Sequence, residues 1–443
     1  MAGPLPAIAV LGASGLIGQA VATELTRQGF PVVAIARRFT PAQKAIFAEK
    51  AVECPVLDLA AEALSALFAQ RAVEIVVNCI GTLQDSPQRG RAEDVHVGFA
   101  SRLTQALTLA REPRLLVHLS VPGNERDDRT AFSTTKRRAE KAIAESGVPH
   151  VILRPGFVVA PAAFGGSALV RALAALPIDV SERELQRPFA TTDVADIAGT
   201  IAHLGRRWDG GERRWAAVWD VMDREAPSVG SVVAAFRAHL GGPAWRLRLA
   251  PWMMTMGAGL GDLAAYLGWS PPVRTTALAE MRRGVSGNPD GWIGATGIEP
   301  ASLARILARR PATVQEKWFA RLYLVKPLAI GSLALFWIAS GSIALTASFD
   351  AAVSILTGHG FARPLAEAVT VISSAADILV GMAIAWRRSC RTGLIAGIAL
   401  SLFYMAGAAA ITPALWLEPL GALVKTAPAI VLMLVVLAML DER

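Results

Sequence analysis

Four apolar segments towards the C-terminal end constrain the fold of this chain more than any other feature. They lie near residues 327–347, 364–386, 393–411 and 419–440. Each has about the 20 residues that a helix needs to cross a bilayer. Up to about residue 320, by contrast, charged residues are dense and turns are frequent. The sequence therefore predicts a soluble part followed by an all-α bundle of four transmembrane helices.

Basic residues predict how the membrane part is oriented. The densest basic loop between two apolar segments contains Arg387, Arg388 and Arg391, and loops of this kind face the cytoplasm. The start of the chain has neither the basic region nor the long apolar region of a secretory signal. We expect a multi-pass protein of the inner (cytoplasmic) membrane, with the soluble part and both termini in the cytoplasm.

Charge and composition argue against nucleic-acid binding and against a metal site. The formal net charge is +8, but the basic residues are scattered and no stacking-rich nucleic-acid motif accompanies them. Basic loops near membrane helices account for the excess. The six histidines and three cysteines share no ligand spacing, so we expect neither a nucleic-acid partner nor a metal site.

A glycine turn opens the soluble part. The segment "PAIAVLGASGLIGQAVATELTR" is a buried strand, a turn and an amphipathic helix. Gly12 allows the tight turn, Gly15 lets backbone approach a pyrophosphate, and Gly18 lets the helix pack close to the strand. Amide groups at the helix start would face the phosphates. The predicted cofactor contacts in this turn are Gly12, Ser14, Gly15, Leu16, Ile17 and Gly18.

The end of the second strand predicts which dinucleotide is bound. A site that prefers NAD places a carboxylate there, whereas this chain has Arg37 and Arg38. Guanidinium groups suit a 2′-phosphate, so we expect NADP, with NAD possible. The alternative is a solvated charge pair. Asp58, followed by Leu59, would accept a hydrogen bond from the adenine amino group, or it caps a helix.

Further strands indicate the fold class. They are "CPVLDLA", "VEIVVNCIG", "RLLVHLS" and "HVILRPGFVVAP", and the helical stretches between them predict an α/β, doubly wound parallel Rossmann sheet. Ligands of such sheets bind at the carboxyl ends of the strands. The candidate residues at those ends are Cys79, Ile80, Gly81, Ser120, Pro155 and Gly156.

These motifs resemble the short-chain dehydrogenase/reductase superfamily in its extended or atypical, epimerase-like branch. Within this branch, the chain is most similar to proteins related to the NADH:quinone oxidoreductase accessory subunit, with which it shares the motif T-K-x-x-A-E. The resemblance covers roughly residues 5–310. The matching segments are GASGLIG at 12–18, LDL at 57–59, NCIG at 78–81, Ser120, F-x-x-x-K at 132–136, ILRPG at 152–156 and ATTDVADI at 190–197.

The resemblance implies a catalytic set with one departure. In the superfamily a serine orients the substrate carbonyl, a tyrosine transfers a proton, and a lysine four residues later holds the nicotinamide ribose. By position these are Ser120, Phe132 and Lys136, so the tyrosine has become a ring that cannot transfer a proton. A nearby hydroxyl could orient a water, or a quinone could take its protons from solvent. Lys136 could alternatively belong to a solvated helix face.

The chain divides into four predicted regions. Residues 1–200 are the dinucleotide domain, 201–310 a substrate lobe, 311–326 an interfacial linker helix and 327–443 the membrane domain. The lobe concentrates methionine and aromatic side chains. We expect them to line an apolar pocket or to form the core of the lobe. They are Trp245, Trp252, Met253, Met254, Met256, Tyr266 and Trp269.

The membrane domain resembles the DoxX-like family through "FWIASG", "ADILVGMAIAW" and "EPLGALVKTAPAIVL". That family is associated with quinone or redox membrane chemistry. Ionisable residues within spans face the bundle interior, and Asp377 and Tyr404 lie at similar depths. We predict that they contact each other, either as part of a polar site or as a packing hydrogen bond. Lys425 lies near the outer surface.

Two functions are compatible with these features. The first is a membrane-anchored, NADP-dependent oxidoreductase that reduces a lipophilic carbonyl or a quinone. The second is a non-catalytic module whose bound NADP(H) stabilises a membrane complex or reports redox state. Expected partners are a lipophilic or quinone substrate and membrane lipid, and a membrane protein is a further candidate partner.

Overall fold

The fold was obtained as a computed structural model, which describes residues 5–85, 90–411, 413–417 and 423–440. The chain forms two compact units. The first comprises Met1–Asp262 and Pro271–Ala320, and the second comprises Leu263–Ser270 and Arg321–Arg443. A short stretch in the middle of the chain therefore belongs to the unit that contains the apolar segments.

A parallel sheet forms the centre of the first unit. Its order is β3-β2-β1-β4-β5-β6-β10, and every neighbouring pair is parallel. Helices cover both faces, and each face has its own buried apolar core, as the doubly wound prediction requires. The strands are β1 (Ala7–Leu11), β2 (Val32–Ala36), β3 (Ala51–Glu53), β4 (Val73–Asn78), β5 (Leu115–Leu119), β6 (His150–Pro155), β7 (Phe157–Val159), β8 (Ile178–Asp179), β9 (Thr191–Asp193), β10 (Ala216–Val221) and β11 (Leu247–Arg248).

Helices separate most of the strands up to β11, and the last five helices, within the described residues 251–322, then follow one another without a strand between them. One π-helical turn, Asp94–Gly98, precedes α4. The helices are α1 (Leu16–Arg27), α2 (Pro41–Phe47), α3 (Ala61–Gln70), α4 (Phe99–Thr108), α5 (Ala131–Glu145), α6 (Gly166–Ala175), α7 (Glu182–Leu185), α8 (Val194–Asp209), α9 (Val229–Leu240), α10 (Pro251–Tyr266), α11 (Thr275–Arg283), α12 (Asp290–Thr296), α13 (Leu303–Ala308) and α14 (Val314–Leu322).

One predicted strand is wrong, and one observed strand was not predicted. The strand expected over "CPVLDLA" is wrong, because β3 ends at Glu53 and Val56–Asp58 form a 3-10 turn. Pro55 has no N–H for a strand ladder. The edge strand β10 was not predicted, since only part of it is buried and its apolar residues do not alternate regularly.

The second unit is helical. Its helices are α15 (Val325–Leu345), α16 (Phe349–Gly358), α17 (Arg363–Ala385), α18 (Cys390–Ile411) and α19 (Thr426–Met439). Among the described residues α15, α17 and α18 are long and apolar enough to cross a membrane. The fourth predicted segment contains α19, which has 14 residues. Part of that segment lies outside the described residues.

The predicted contact between Asp377 and Tyr404 is confirmed. The Tyr404 hydroxyl donates to Asp377 Oδ1 over 2.9 Å, and Ser340 Oγ lies 3.5 Å from Asp377 Oδ2. Two of the helices that carry these groups, α15 and α17, pack closely, since a Cβ on Gly341 would lie 2.4 Å from the Ser374 carbonyl oxygen. The second unit thus has a buried polar contact between three helices.

We expect Tyr404→Phe to lower the free energy of unfolding of the second unit by about 1 kcal/mol, since it removes one interhelical hydrogen bond in an apolar environment. Titration of the reconstituted protein with SDS measures this change. Phe403→Leu alters an exposed neighbour on the same helix and is the control. An equal loss in both variants would contradict a specific role of the hydroxyl.

Candidate functional site

The glycine turn between β1 and α1 has the geometry of a phosphate-binding loop. Gly12 has a φ of +79°, a backbone conformation that side chains disfavour. A Cβ on Gly18 would lie 2.3 Å from the Gly12 carbonyl oxygen, so only glycine lets the helix approach the turn. Gly15 is the N-cap of α1, and no side chain within the described part of the chain caps the helix.

A second element supports this turn. The Gln43 side-chain amide on α2 donates to the Ser14 carbonyl oxygen over 3.1 Å and to Gln19 Oε1 over 2.9 Å. These bonds tie α2 to the turn and to α1. Sequence reasoning missed Gln43, although the T-P-x-Q order at the start of α2 is a helix-cap signal.

Arg37 and Arg38 follow β2 and are exposed at the carboxyl edge of the sheet. Asp58 is also exposed, at the end of the 3-10 turn, and Leu59 is half-buried. The N-cap of α3 is Ala60, so the alternative role of Asp58 as a helix cap is wrong.

The edge formed by β4 and β5 brings several of the predicted residues together. Cys79, Ile80 and Gly81 leave β4, and Ser120 leaves β5. Ser120 is 8% exposed, and its Oγ has no hydrogen-bond partner among the described residues. A buried hydroxyl of this kind needs a partner, and a cofactor or substrate atom would supply it.

Lys136 extends from α5 into the same edge. Its Nζ donates to the Leu119 carbonyl oxygen over 2.7 Å and to that of Ile80 over 3.4 Å. A Cβ on Gly81 would lie 3.4 Å from Nζ. Burial lowers the pKa of Lys136 to about 8. The alternative of a solvated helix face is therefore wrong for Lys136.

His96 lies beside this lysine in the π-helical turn. The Thr82 N–H donates to His96 Nε2 over 3.1 Å, so a neutral ring carries its proton on Nδ1. That nitrogen lies 2.7 Å from Thr135 Oγ1, and Thr135 donates to the Ala131 carbonyl oxygen. Burial lowers the pKa of His96 to about 3, so His96 stays neutral and positions the start of α5.

Phe132 occupies the position of the expected tyrosine, and its ring packs edge-on against His96 with 5.8 Å between centroids. The hydroxyls considered as substitutes have other partners. Ser133 is fully buried and bonded to Thr130, and Thr134 donates to the Thr130 carbonyl oxygen. Among the described α5 residues 133–135, each hydroxyl therefore already has a hydrogen-bond partner within the protein, and only that of Thr134 is on an exposed residue.

A buried ionic network holds the loop that follows Ser120. The Arg137 guanidinium contacts Asp128 at 2.9 Å and Glu140 at 3.2 Å. Arg283 on α11 lies 3.3 Å from Asp128 and donates to the Pro122 carbonyl oxygen over 2.9 Å. Sequence reasoning missed this network, since its members are distant in the chain and show no spacing pattern.

Pro155 and Gly156 lie where β6 passes into β7. The Gly156 N–H donates to Thr192 Oγ1 over 2.8 Å. A Cβ on Gly156 would lie 2.4 Å from the Ala190 carbonyl oxygen. The glycine is therefore needed for this close approach of two strands, whatever its role towards a cofactor.

The methionine and aromatic side chains of residues 245–269 do not form a common core. Met254 packs against the third buried cluster, and Trp269 packs in the second unit. The interpretation of a lobe core is wrong for four of them, which are exposed: Trp245, Trp252, Met256 and Tyr266.

The features at the sheet edge fit a dinucleotide: a turn that only glycines allow, helix amides without a side-chain cap, and the unpartnered Ser120 hydroxyl. Comparison with known families agrees. Residues 12–196 match the NAD(P)H-binding family, and residues 334–434 match the DoxX-like family. The chain joins an NAD(P)H-binding domain to a DoxX-like domain. The DoxX-like domain and the apolar helices make it a membrane protein.

Solved structures share the fold of the NAD(P)H-binding domain. UDP-glucuronic acid 4-epimerase from Bacillus cereus, in complex with UDP-glucuronic acid and NAD, superposes with a TM-score of 0.51 and 13% identity, covering 72% of this chain and 99% of that chain. The Bordetella bronchiseptica enzyme WbmG, in complex with NAD, superposes with a TM-score of 0.50 and 17% identity, covering 69% and 93%. A comparison with curated proteins found no match.

Among the described residues no group of three His, Cys, Asp or Glu side chains could hold a metal ion. The cysteines Cys54, Cys79 and Cys390 are free thiols.

Proposed function

We propose that this protein is a membrane-anchored, NADPH-dependent oxidoreductase of the atypical short-chain type, and that it reduces a quinone or another lipophilic carbonyl compound. The observation that carries the proposal is the position of Lys136. Its buried ammonium group lies at the edge where Ser120 and Gly81 leave the sheet. An ammonium group has three donors; two of them reach the Leu119 and Ile80 carbonyl oxygens, which leaves the third for a bound ligand.

Each residue of the edge has a task in this proposal. The turn Gly12–Gly18 binds the pyrophosphate through backbone amides, and Lys136 holds the nicotinamide ribose. Ser120 donates its unpartnered hydroxyl to the substrate oxygen and orients it. The cofactor, when bound, supplies the hydride. His96 keeps α5 in place and takes no part in proton transfer, because its pKa of about 3 leaves it neutral.

Phe132 favours a quinone over a simple ketone. Reduction of either requires one proton besides the hydride. The anion formed from a quinone is a phenolate, whose conjugate acid has a pKa near 10, as in tyrosine. It leaves the site without a proton donor and takes its proton from solvent. The alkoxide formed from a ketone is much more basic and needs a positioned acid.

The test is NADPH oxidation by the purified protein in detergent, with and without a short-chain quinone, followed by absorbance. We expect quinone-dependent oxidation, and much less with a panel of ketones. Phe132→Tyr is the informative variant. With a quinone, this variant should oxidise NADPH at about the rate of the unmodified protein, without the roughly 100-fold gain that a positioned proton donor supplies. With a ketone, its rate of NADPH oxidation should rise.

The proposal would be rejected if NADPH binds tightly and neither quinone nor ketone oxidises it. That result would favour the second function, a non-catalytic NADP(H)-binding module of a membrane complex. Phe132 is the observation in its favour, and bound cofactor would stabilise such a module by mass action.

The preference for NADPH rests on Arg37 and Arg38. We expect Arg38→Ala to weaken NADPH binding roughly tenfold, by the loss of one charge-assisted hydrogen bond, and to leave NADH binding unchanged. Titration of nicotinamide fluorescence measures both affinities. Arg71→Ala removes an exposed arginine just before β4, at the opposite edge of the sheet, and is the control. Equal losses for NADPH and NADH would contradict recognition of the 2′-phosphate.

We further propose that the protein lies in the inner (cytoplasmic) membrane with both termini and the NAD(P)H-binding domain in the cytoplasm. The basic loop at Arg387 and Arg388 supports this orientation, as does the cytoplasmic supply of NADPH. Protease treatment of sealed inverted vesicles, which expose the cytoplasmic side, should cleave this domain, and treatment of right-side-out vesicles should spare it.

A further inference from the structure

Helix α10 exposes an apolar face along its whole length. Five large side chains lie on it at intervals of three or four residues, and each is more than half exposed: Trp252, Met256, Leu260, Leu263 and Tyr266. The remaining exposed residues of α10 are Pro251, Thr255 and Gly259. Within the described helix Pro251–Tyr266, the exposed face therefore carries no charge. A helix face in contact with water is normally polar.

Helix α5 shows what a solvated face of this protein looks like. Its exposed residues include Arg138, Lys141 and Glu145, and Arg138 pairs with Glu93 at 2.7 Å. The contrast between the two helices is one of composition, since both are long and both are covered on their other side. The face of α10 is thus suited to a medium other than water.

The opposite face of α10 is already occupied, so the helix cannot rotate to bury its exposed side chains. A Cβ on Gly261 would lie 1.8 Å from the Val273 carbonyl oxygen. Asp262 accepts hydrogen bonds from Arg274 and Thr275 over 2.8 and 2.7 Å. These contacts fix which side of the helix points outward.

The place where α10 ends indicates what covers this face. Its last residues belong to the second unit, within Leu263–Ser270. There the Trp269 indole donates to the carbonyl oxygen of Ala385 over 2.7 Å, and the Arg387 N–H donates to the Leu267 carbonyl oxygen over 3.0 Å. Ala385 is the last residue of the membrane-spanning helix α17. The Arg387 guanidinium lies 5.3 Å from the Trp269 ring centroid, a pairing suited to the headgroup layer.

We propose that α10 is an interfacial membrane helix, whose face from Trp252 to Tyr266 inserts into the phospholipid layer at the end of α17. The helix is about 24 Å long at 1.5 Å per residue. Its exposed apolar side chains and uncharged face match those of helices that lie in the plane of the interface. This lipid contact is additional to the spans and does not depend on the proposed reaction.

The test places a fluorescent probe on this face of the full-length protein in phospholipid nanodiscs. The three native cysteines are replaced by alanine, Met256→Cys is introduced and labelled with an NBD group, and part of the lipid carries a doxyl quencher on an acyl carbon near the headgroup. We expect blue-shifted emission that the quencher largely removes. Ile46→Cys labels an exposed apolar position on α2 and should stay red-shifted and unquenched.

Two results would overturn the proposal. Red-shifted, unquenched emission at position 256 would show that water covers the face. Blue-shifted emission that the quencher does not reduce would show that protein covers it. Leu260→Cys, one turn further along the same face, repeats the measurement if the first labelled variant fails to fold. A thermal unfolding temperature close to that of the unlabelled cysteine-free protein checks that the fold is intact.

Discussion

Replacement of Gly18 by alanine is expected to abolish NADPH binding. The new Cβ would lie 2.3 Å from the Gly12 carbonyl oxygen and 2.8 Å from the Gly12 carbonyl carbon, and neither atom can move without displacing the glycine turn. Both α1 and the turn must shift, so the backbone amides no longer converge on a pyrophosphate. Titration of nicotinamide fluorescence with the purified variant measures the loss.

Gly199→Ala is the matched control for this experiment. Gly199 lies inside α8, and the nearest atom to its Cβ would be Ile298 Cδ1 at 3.7 Å, an ordinary contact. A glycine in a helix interior costs up to about 1 kcal/mol relative to alanine, so this variant should bind NADPH normally and unfold at a slightly higher temperature. Normal binding by Gly18→Ala would remove the basis for placing the pyrophosphate at this turn.

Replacement of Lys136 by methionine is expected to separate cofactor binding from stability. Loss of a charged hydrogen-bond donor should weaken NADPH binding roughly 10- to 100-fold. The unfolding temperature without cofactor should be no lower than that of the unmodified protein. The reason is that a buried ammonium group is costly and methionine fills a similar volume, which offsets the loss of the bonds to the Leu119 and Ile80 carbonyl oxygens. A residue with a purely structural role would show the opposite pattern.

The pH dependence gives an independent check. Because the pKa of Lys136 is lowered from 10.5 to about 8 in the folded protein, the unfolded chain binds more protons between those values, and stability without cofactor should rise with pH across that window. NADPH affinity should fall as pH rises through about 8, since the ammonium charge is lost. Lys136→Met should remove both trends. A variant that keeps them would assign the titration to another group.

The local parts of the fold and site could be predicted from the sequence. The glycine turn is encoded within one strand and one helix, so its residues carry the signal themselves. The contact between Asp377 and Tyr404 followed from their depths in neighbouring spans. Lys136 could be placed because it stands, four residues after Phe132, at the position where the resemblance to the short-chain dehydrogenase/reductase superfamily implies a lysine.

Other parts depended on long-range contacts that no local pattern reports. Arg137 lies in the charged run "KRRAEK", yet it is buried between Asp128 and Glu140. The large side chains of α10 were expected in a pocket or core, because composition does not show which side of a helix points outward. Asp58 was placed on a strand or at a helix cap, and the preceding proline directs the backbone into a 3-10 turn instead.

The ionic network around Asp128 also sets an order of events during synthesis. The glycine turn and its supports lie within the first 81 residues, so the ribosome completes them early. The loop after Ser120, by contrast, gains its contacts with Arg283 only after more than half of the chain has been made. N-terminal segments fold first during synthesis. A nascent chain can therefore acquire its glycine turn well before the loop beside Ser120 has all its anchors.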